Sequence, residues 1–159
     1  MKNRAHALAS RIEQGAQQLA AYAEQLTDSQ WETKVGDGRT VGVVVHHVAS
    51  VYPIEVSLAR LIADSKSVEE VTWDVVNKMN GDHAIEFAAI SKRDAIGLLQ
   101  SNSIEAAAAV REFSDEDLDQ AGPFGLTYGA PVTAQFVIED HPVRHSWHHL
   151  ARIRAALEN

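Results

Sequence analysis

The 159-residue chain has no cysteine. This excludes a disulfide framework, zinc–thiolate and iron–sulfur sites, and a thiol nucleophile of the protein's own. Proline is scarce, at 4 residues, and glycine stands at 9; with 45% hydrophobic and 23% charged residues the chain is neither disordered nor collagen-like. Basic residues are outnumbered: 14 Lys and Arg against 22 Asp and Glu give a net charge of −8, a field that repels nucleic acid and anionic lipid. No uninterrupted apolar run approaches the roughly 20 residues that span a bilayer, and the opening MKNRAHALASRIEQ has no hydrophobic signal core. The expectation is one domain over residues 1–159, cytoplasmic, with a small molecule rather than nucleic acid or membrane as its partner.

Strand signals are also few. Alanine is abundant, β-branched residues rarely alternate with polar ones, and no Asn-Gly or Asp-Gly is flanked by alternating strands, which predicts an all-α chain. Leu8, Ile12, Leu19, Tyr22 and Leu26 recur at helical steps and predict a first helix from about Arg4 to Leu26. A second begins after the Gly36-Asp37-Gly38 turn with Thr40 as N-cap and runs to about Ala63, with a bend or break at Pro53. A third covers about Val68 to Ile90, and Ser91 with Asp94 resembles a capping box opening a stretch to about Phe113. A breaker-rich loop, Gly122 to Pro131, precedes a last helix from about Val132 to Leu157 with a kink at Pro142.

What the chain does have is histidine. Six of its eight His fall in two clusters, His46 and His47, then His141, His145, His148 and His149. At about 100° per residue, Val43, Val44, Val51, Ile54 and Leu58 lie within roughly 60° of His47, so His47 is expected inside, whereas His46 shares a face with Ser50, Pro53, Ser57 and Arg60 and is expected outside. On the last helix, Phe136, Val143, Trp147, Leu150 and Leu157 form an apolar arc. His149 points most inward, His145 next, and His141 and His148 outward, although Pro142 can shift the phase of His141.

His145 and His149 are four residues apart, so both imidazoles can converge on one ion. A lone inward His is more often a hydrogen-bonded core residue, and an HxxxH pair in a His-rich helix arises by chance. Three inward imidazoles on two helices, however, supply the protein ligands of an open catalytic metal site, and a shared cation explains why they are buried together. Other motifs are missing: there is no HExxH, no Glu followed three residues later by His, and no GxSxG elbow. Glu55, about 80° from His47, can be an acceptor behind a ligand, an extra ligand, or a residue at the boundary of the apolar face. Asn77 and His83 can line the same cavity, while Trp73 and Met79 suit a core face equally well.

The segment Thr40-Val41-Gly42-Val43-Val44-Val45-His46-His47-Val48-Ala49-Ser50, followed about a hundred residues later by His145-Ser146-Trp147-His148-His149-Leu150-Ala151-Arg152-Ile153, resembles the DinB/YfiT-like superfamily of metal-dependent enzymes. Trp73-Asp74 with Asn77 is similar to the third helix of its mycothiol-dependent maleylpyruvate isomerase branch. The resemblance implies an up-down-down-up four-helix bundle, often a homodimer, in which His47, His145 and His149 hold a divalent metal, zinc or nickel. It further implies a transferase or isomerase using a low-molecular-weight thiol such as mycothiol or bacillithiol, the metal activating that thiol or a water; no catalytic side chain is assigned. The chain departs from the family at Pro53 and Pro142, and at Arg152, where many relatives carry Gln. The Gly122 to Pro131 loop is a candidate lid or dimer contact. The alternative is a non-catalytic bundle that binds a metal or small ligand, or that only dimerises.

Overall fold

The computed structural model of the chain describes residues 3–158. After α1 (Asn3–Glu24), hydroxyl groups set the helix starts: α2 (Asp28–Trp31), α3 (Val41–Ala63), α4 (Trp73–Glu86), α5 (Lys92–Arg111), α6 (Asp115–Asp119) and α7 (Ala134–Ile138) follow Thr27, Thr40, Thr72, Ser91, Ser114 and Thr133. Each of these side chains accepts the backbone N–H of the third helical residue, a cap worth about 1 kcal/mol. Both expected caps, Thr40 and Ser91, are among them.

Cross-helix pairs fix the topology. Glu13 pairs with Arg111 at 2.7 Å and the Leu26 carbonyl accepts from Lys92, so α1 and α5 are antiparallel. Asn102 donates to the Ala49 carbonyl and Arg60 stacks 3.6 Å over Phe113, so α3 and α5 are parallel. Arg11 reaches Glu139 at 2.9 Å and Arg154 lies over Tyr22, so α1 runs parallel to the last helix. Tyr52 with Ser146 and Glu55 with His145 make α3 antiparallel to it. The result is an up-down-down-up four-helix bundle, with Leu8, Ile12, Leu19, Val44, Leu99, Val110, Leu150 and Ile153 in one continuous core. Side chains this close leave no room at Gly42, where an added Cβ would sit 2.5 Å from the Trp31 indole nitrogen; that indole donates to the Ile90 carbonyl.

The two prolines are handled differently. Pro53 causes no break: α3 is continuous from Val41 to Ala63. Proline has no N–H for the carbonyl four residues earlier, that of Ala49, and the Asn102 amide of α5 supplies the missing donor at 2.9 Å. At Pro142, α7 passes through a π-turn, Glu139–Val143, into α8 (Arg144–Leu157). The extra residue in that turn accommodates the missing donor and rotates everything before it relative to α8. The straight-wheel expectation for the arc fails accordingly at Phe136, which is 41% exposed; within α8 itself Trp147, 45% exposed, lies against Gly15 of α1 rather than in the core.

The segment expected to be helical from Val68 is helical only from Trp73 to Glu86, and α4 buries none of its residues. It is the crossover that two parallel helices, α3 and α5, require. The Gly122 to Pro131 stretch is more ordered than a loop: β1 (Ala121–Pro123) pairs antiparallel with β2 (Pro131–Thr133), and Val68 bridges to Phe124. Gly125 is required there, since a Cβ would lie 2.2 Å from the Val71 carbonyl oxygen.

Candidate metal centre

His47, His145 and His149 meet at one end of the bundle, between α3 and α8. One ring nitrogen from each lies within 4.8 Å of the others, so a single ion can draw on all three. The rings are 4.7 to 5.5 Å apart between centroids. His47 and His149 are 5% and 4% exposed, and His145 is half-buried at the cavity wall. The geometry follows from local structure: α3 turns His47 toward the bundle axis, and the four-residue step on α8 stacks His145 and His149 on the same face.

Electrostatics prepares these groups for a cation. Burial, with the charges of His145 and Arg39, pushes the His47 pKa down to about 2. Burial, His145, His47 and Arg39 push His149 far below the usual imidazole range as well. Both therefore keep a free lone pair at neutral pH, which is what a metal ligand must offer. Glu55 stands behind the third imidazole: its Oε1 lies 2.7 Å from His145 Nδ1. A carboxylate only accepts, so the ring donates from Nδ1, and Nε2 is the nitrogen that can be offered to an ion. Glu55 is 5% exposed, buried rather than at a boundary. His149 Nδ1 and Glu55 Oε2 have no hydrogen-bond partner among the described residues. Three imidazole donors with a carboxylate behind one of them fit a divalent transition metal of the zinc type.

A cavity of about 390 Å³ opens beside the three imidazoles. Val51, Ile54, Leu58, Trp73, Met79 and Leu126 supply apolar wall, and Arg39, Arg144 and Arg152 supply charge. Trp73 and Met79, which suit a core by spacing, are thus wall residues, and Trp73 is tied to the far side by its indole donating to the Leu126 carbonyl at 3.1 Å. The segment between β1 and β2 contributes Leu126 to the wall.

The remaining sequence expectations divide. His46 is 5% exposed, not outside, because α4 covers its face: His83 Nε2 lies 2.9 Å from His46 Nδ1 and the Phe87 ring is 4.1 Å away. A wheel drawn on α3 alone cannot register a covering helix. His83 stands at the back of the centre, 5.7 Å from the His47 ring, with its pKa brought down to about 4 by burial, His46 and Arg39. Asn77 is exposed; Asn80, three residues on, lines the cavity instead. His141, expected outside, is turned by the π-turn into the cavity wall, edge-on to Phe124 and 3.9 Å from Glu55. His148 is exposed, as expected, at the cavity rim.

Arg39 was not singled out by the sequence. It lies directly before the Thr40 cap, and its Nε and Nη2 grip Asp37 at 3.2 and 2.7 Å. An Asp-x-Arg turn immediately ahead of the helix that carries an inward His was the available signal.

The sequence pattern of the DinB superfamily matches residues 11–153, a span that includes all three imidazoles. Among solved structures, YfiT from Bacillus subtilis, described as a probable metal-dependent hydrolase with an unusual four-helix bundle topology, superposes with a TM-score of 0.76. At 22% identity the likeness covers 97% of this chain and 86% of that one, and it concerns the fold. No curated protein matches the sequence. On the family match, which spans both helices of the histidine cluster and nearly the whole bundle, the chain belongs to the DinB superfamily.

Proposed function

We propose that the protein is a metal-dependent enzyme whose divalent ion is held by His47, His145 and His149. The observation that carries this reading is the convergence of three mutually close imidazoles beside a cavity. When bound, the ion supplies Lewis acidity that makes a nucleophile of a coordinated thiol or water. Zinc and nickel suit the nitrogen donor set. The protein's own contribution is to keep His47 and His149 neutral by burial, to orient His145 through Glu55, and to hold substrate against the apolar wall away from bulk water.

Two nucleophiles divide the proposal. With no cysteine in the chain, a sulfur nucleophile has to arrive as a low-molecular-weight thiol, making the enzyme a transferase or isomerase. Water makes it a hydrolase, the activity named for YfiT. The test is a panel of electrophiles and esters, each incubated with zinc- or nickel-loaded protein in the presence and absence of mycothiol, bacillithiol or glutathione. Turnover that needs the thiol and disappears in His47→Ala supports the thiol reaction, and thiol-independent ester cleavage lost in the same variant supports hydrolysis. Metal-loaded protein without turnover under any of these conditions would favour the non-catalytic binder.

A further inference from the structure

The charge in the cavity is arranged in pairs, and one pair does not cancel. Arg144 is matched by Asp140 at 3.0 Å. Arg39 and Arg152, in contrast, share a single carboxylate: Asp37 Oδ2 is 2.7 Å from Arg39 Nη2 and 3.2 Å from Arg152 Nη2. Two guanidinium groups against one carboxylate leave one positive charge on this side of the cavity, while the Glu55 carboxylate, which also lines it, stands against His145 and His141. Both guanidinium contacts pull Asp37 well below the usual carboxylate range, to about 2, so its charge is permanent and the count holds across neutral pH.

Arg39 is also an incomplete donor. Its Nε and Nη2 are used on Asp37, but Nη1 is buried with no acceptor among the described residues. A buried guanidinium nitrogen without an acceptor is rare and calls for a specific explanation. Its position supplies one, since Arg39 lines the cavity and its charge is felt by His47, His83 and His149. An apolar strip of the wall runs from Val51, Ile54 and Leu58 of α3 to Val76 and Met79 of α4, beside the polar groups of Glu55, Asn80, Asp140 and the histidines. In a chain of net charge −8, a positive spot beside an apolar strip selects for anions only at short range.

We propose that Arg39 and Arg152, clamped by Asp37, bind the head group of the substrate, a singly charged carboxylate carried on an apolar body that lies along Val51, Ile54 and Leu58. One uncompensated charge matches a carboxylate and is too little for a phosphate dianion. The assignment rests on the cavity being the substrate site of the enzyme proposed above, but not on the ion itself, because the binding groups are side chains of this chain.

The probes are hexanoate, hexan-1-ol, hexylamine and hexyl phosphate, titrated calorimetrically into metal-free protein and into its Arg39→Gln, Arg39→Lys and Arg152→Gln variants. Hexanoate should bind metal-free wild type at least about tenfold more tightly than hexanol, the size expected of a charge-assisted hydrogen bond in a partly dry site. Arg39→Gln should bring the two to within about threefold, and Arg39→Lys should recover part of the preference. Should Arg39→Gln fail to fold, Arg152→Gln, on a half-exposed side chain, should still narrow the gap. Equal binding of hexanoate and hexanol, tighter binding of hexylamine or hexyl phosphate, or a preference unchanged in every folded variant would overturn the proposal. Because these titrations are made without metal, failure here leaves metal uptake as a separate question, and failure of metal uptake leaves these titrations interpretable.

Discussion

Removing the Glu55 carboxylate should weaken metal uptake while leaving the bundle folded. Glu55 Oε1 lies 2.7 Å from His145 Nδ1, so the carboxylate fixes both the ring's orientation and which nitrogen carries the proton. Loss of such a partner behind a metal-bound histidine costs about 10–100-fold in affinity, equivalent to about 1.4–2.8 kcal/mol. Glu55→Gln keeps an acceptor for the ring N–H but discards the charge that raises ligand basicity, and belongs at the low end. Glu55→Ala discards both and belongs at the high end. The order wild type, then Glu55→Gln, then Glu55→Ala is itself part of the expectation. Zinc affinity is measured by competition with a chromophoric chelator at constant pH, with circular dichroism as the control for folding. A folded Glu55→Ala protein that binds zinc within about threefold of wild type would refute the role assigned to Glu55, and with it the tautomer assigned to His145.

Asn102→Ala should destabilise the bundle by about 1–3 kcal/mol, since it leaves the buried Ala49 carbonyl without a donor. In a Pro53→Ala background, which restores the backbone N–H, the same substitution should cost much less; equal costs in thermal unfolding of the two backgrounds would show that Asn102 does not replace the proline's missing bond. Metal-free protein should lose stability as pH falls below about 6.5, where the unfolded chain takes up protons that folded His47, held down to about 2, refuses. The contribution is complete above that pH and is lost at about 1.4 kcal/mol per pH unit for a fully buried imidazole, so urea midpoints unchanged between about pH 7 and 5 would contradict it. Gly125→Ala should be destabilising by several kcal/mol or block folding, because the added Cβ has only backbone carbonyls around it; a stability loss below about 0.5 kcal/mol would mean that the Val68–Val71 segment can move away.

Much of the architecture is written in local rules. Thr40 and Ser91 mark two helix starts because a hydroxyl before a helical run has one productive use, and the apolar stripe of α1 faces the core from Leu8 to Leu26 as spacing dictates. His47, His145 and His149 are brought together because each lies on the inner face of a regular helix. What the sequence concealed is non-local. His46 is buried by α4, a helix none of whose own residues is fully buried and whose pattern therefore carries little trace of where it docks. His141 and Phe136 were misplaced because the turn at Pro142 takes an additional residue and so breaks the constant angular step on which a wheel depends. Pro53 looked disruptive because its compensation, Asn102, is 49 residues away in the chain and adjacent only in the fold. Glu55 and Asp37 share that property: His145, the partner of Glu55, and Arg152, the second guanidinium on Asp37, come from the other end of the sequence.

The metal content of the protein tests the central claim most directly. Untagged wild-type protein, purified without chelator and reconstituted with zinc or nickel, should carry close to one ion per chain by elemental analysis, as a site of three converging imidazoles is expected to hold its ion. His47→Ala and His145→Ala, checked for folding, should carry little. Wild-type protein that retains less than about 0.1 ion per chain after reconstitution, or folded variants that retain as much as wild type, would contradict the assignment of His47, His145 and His149 as the metal ligands.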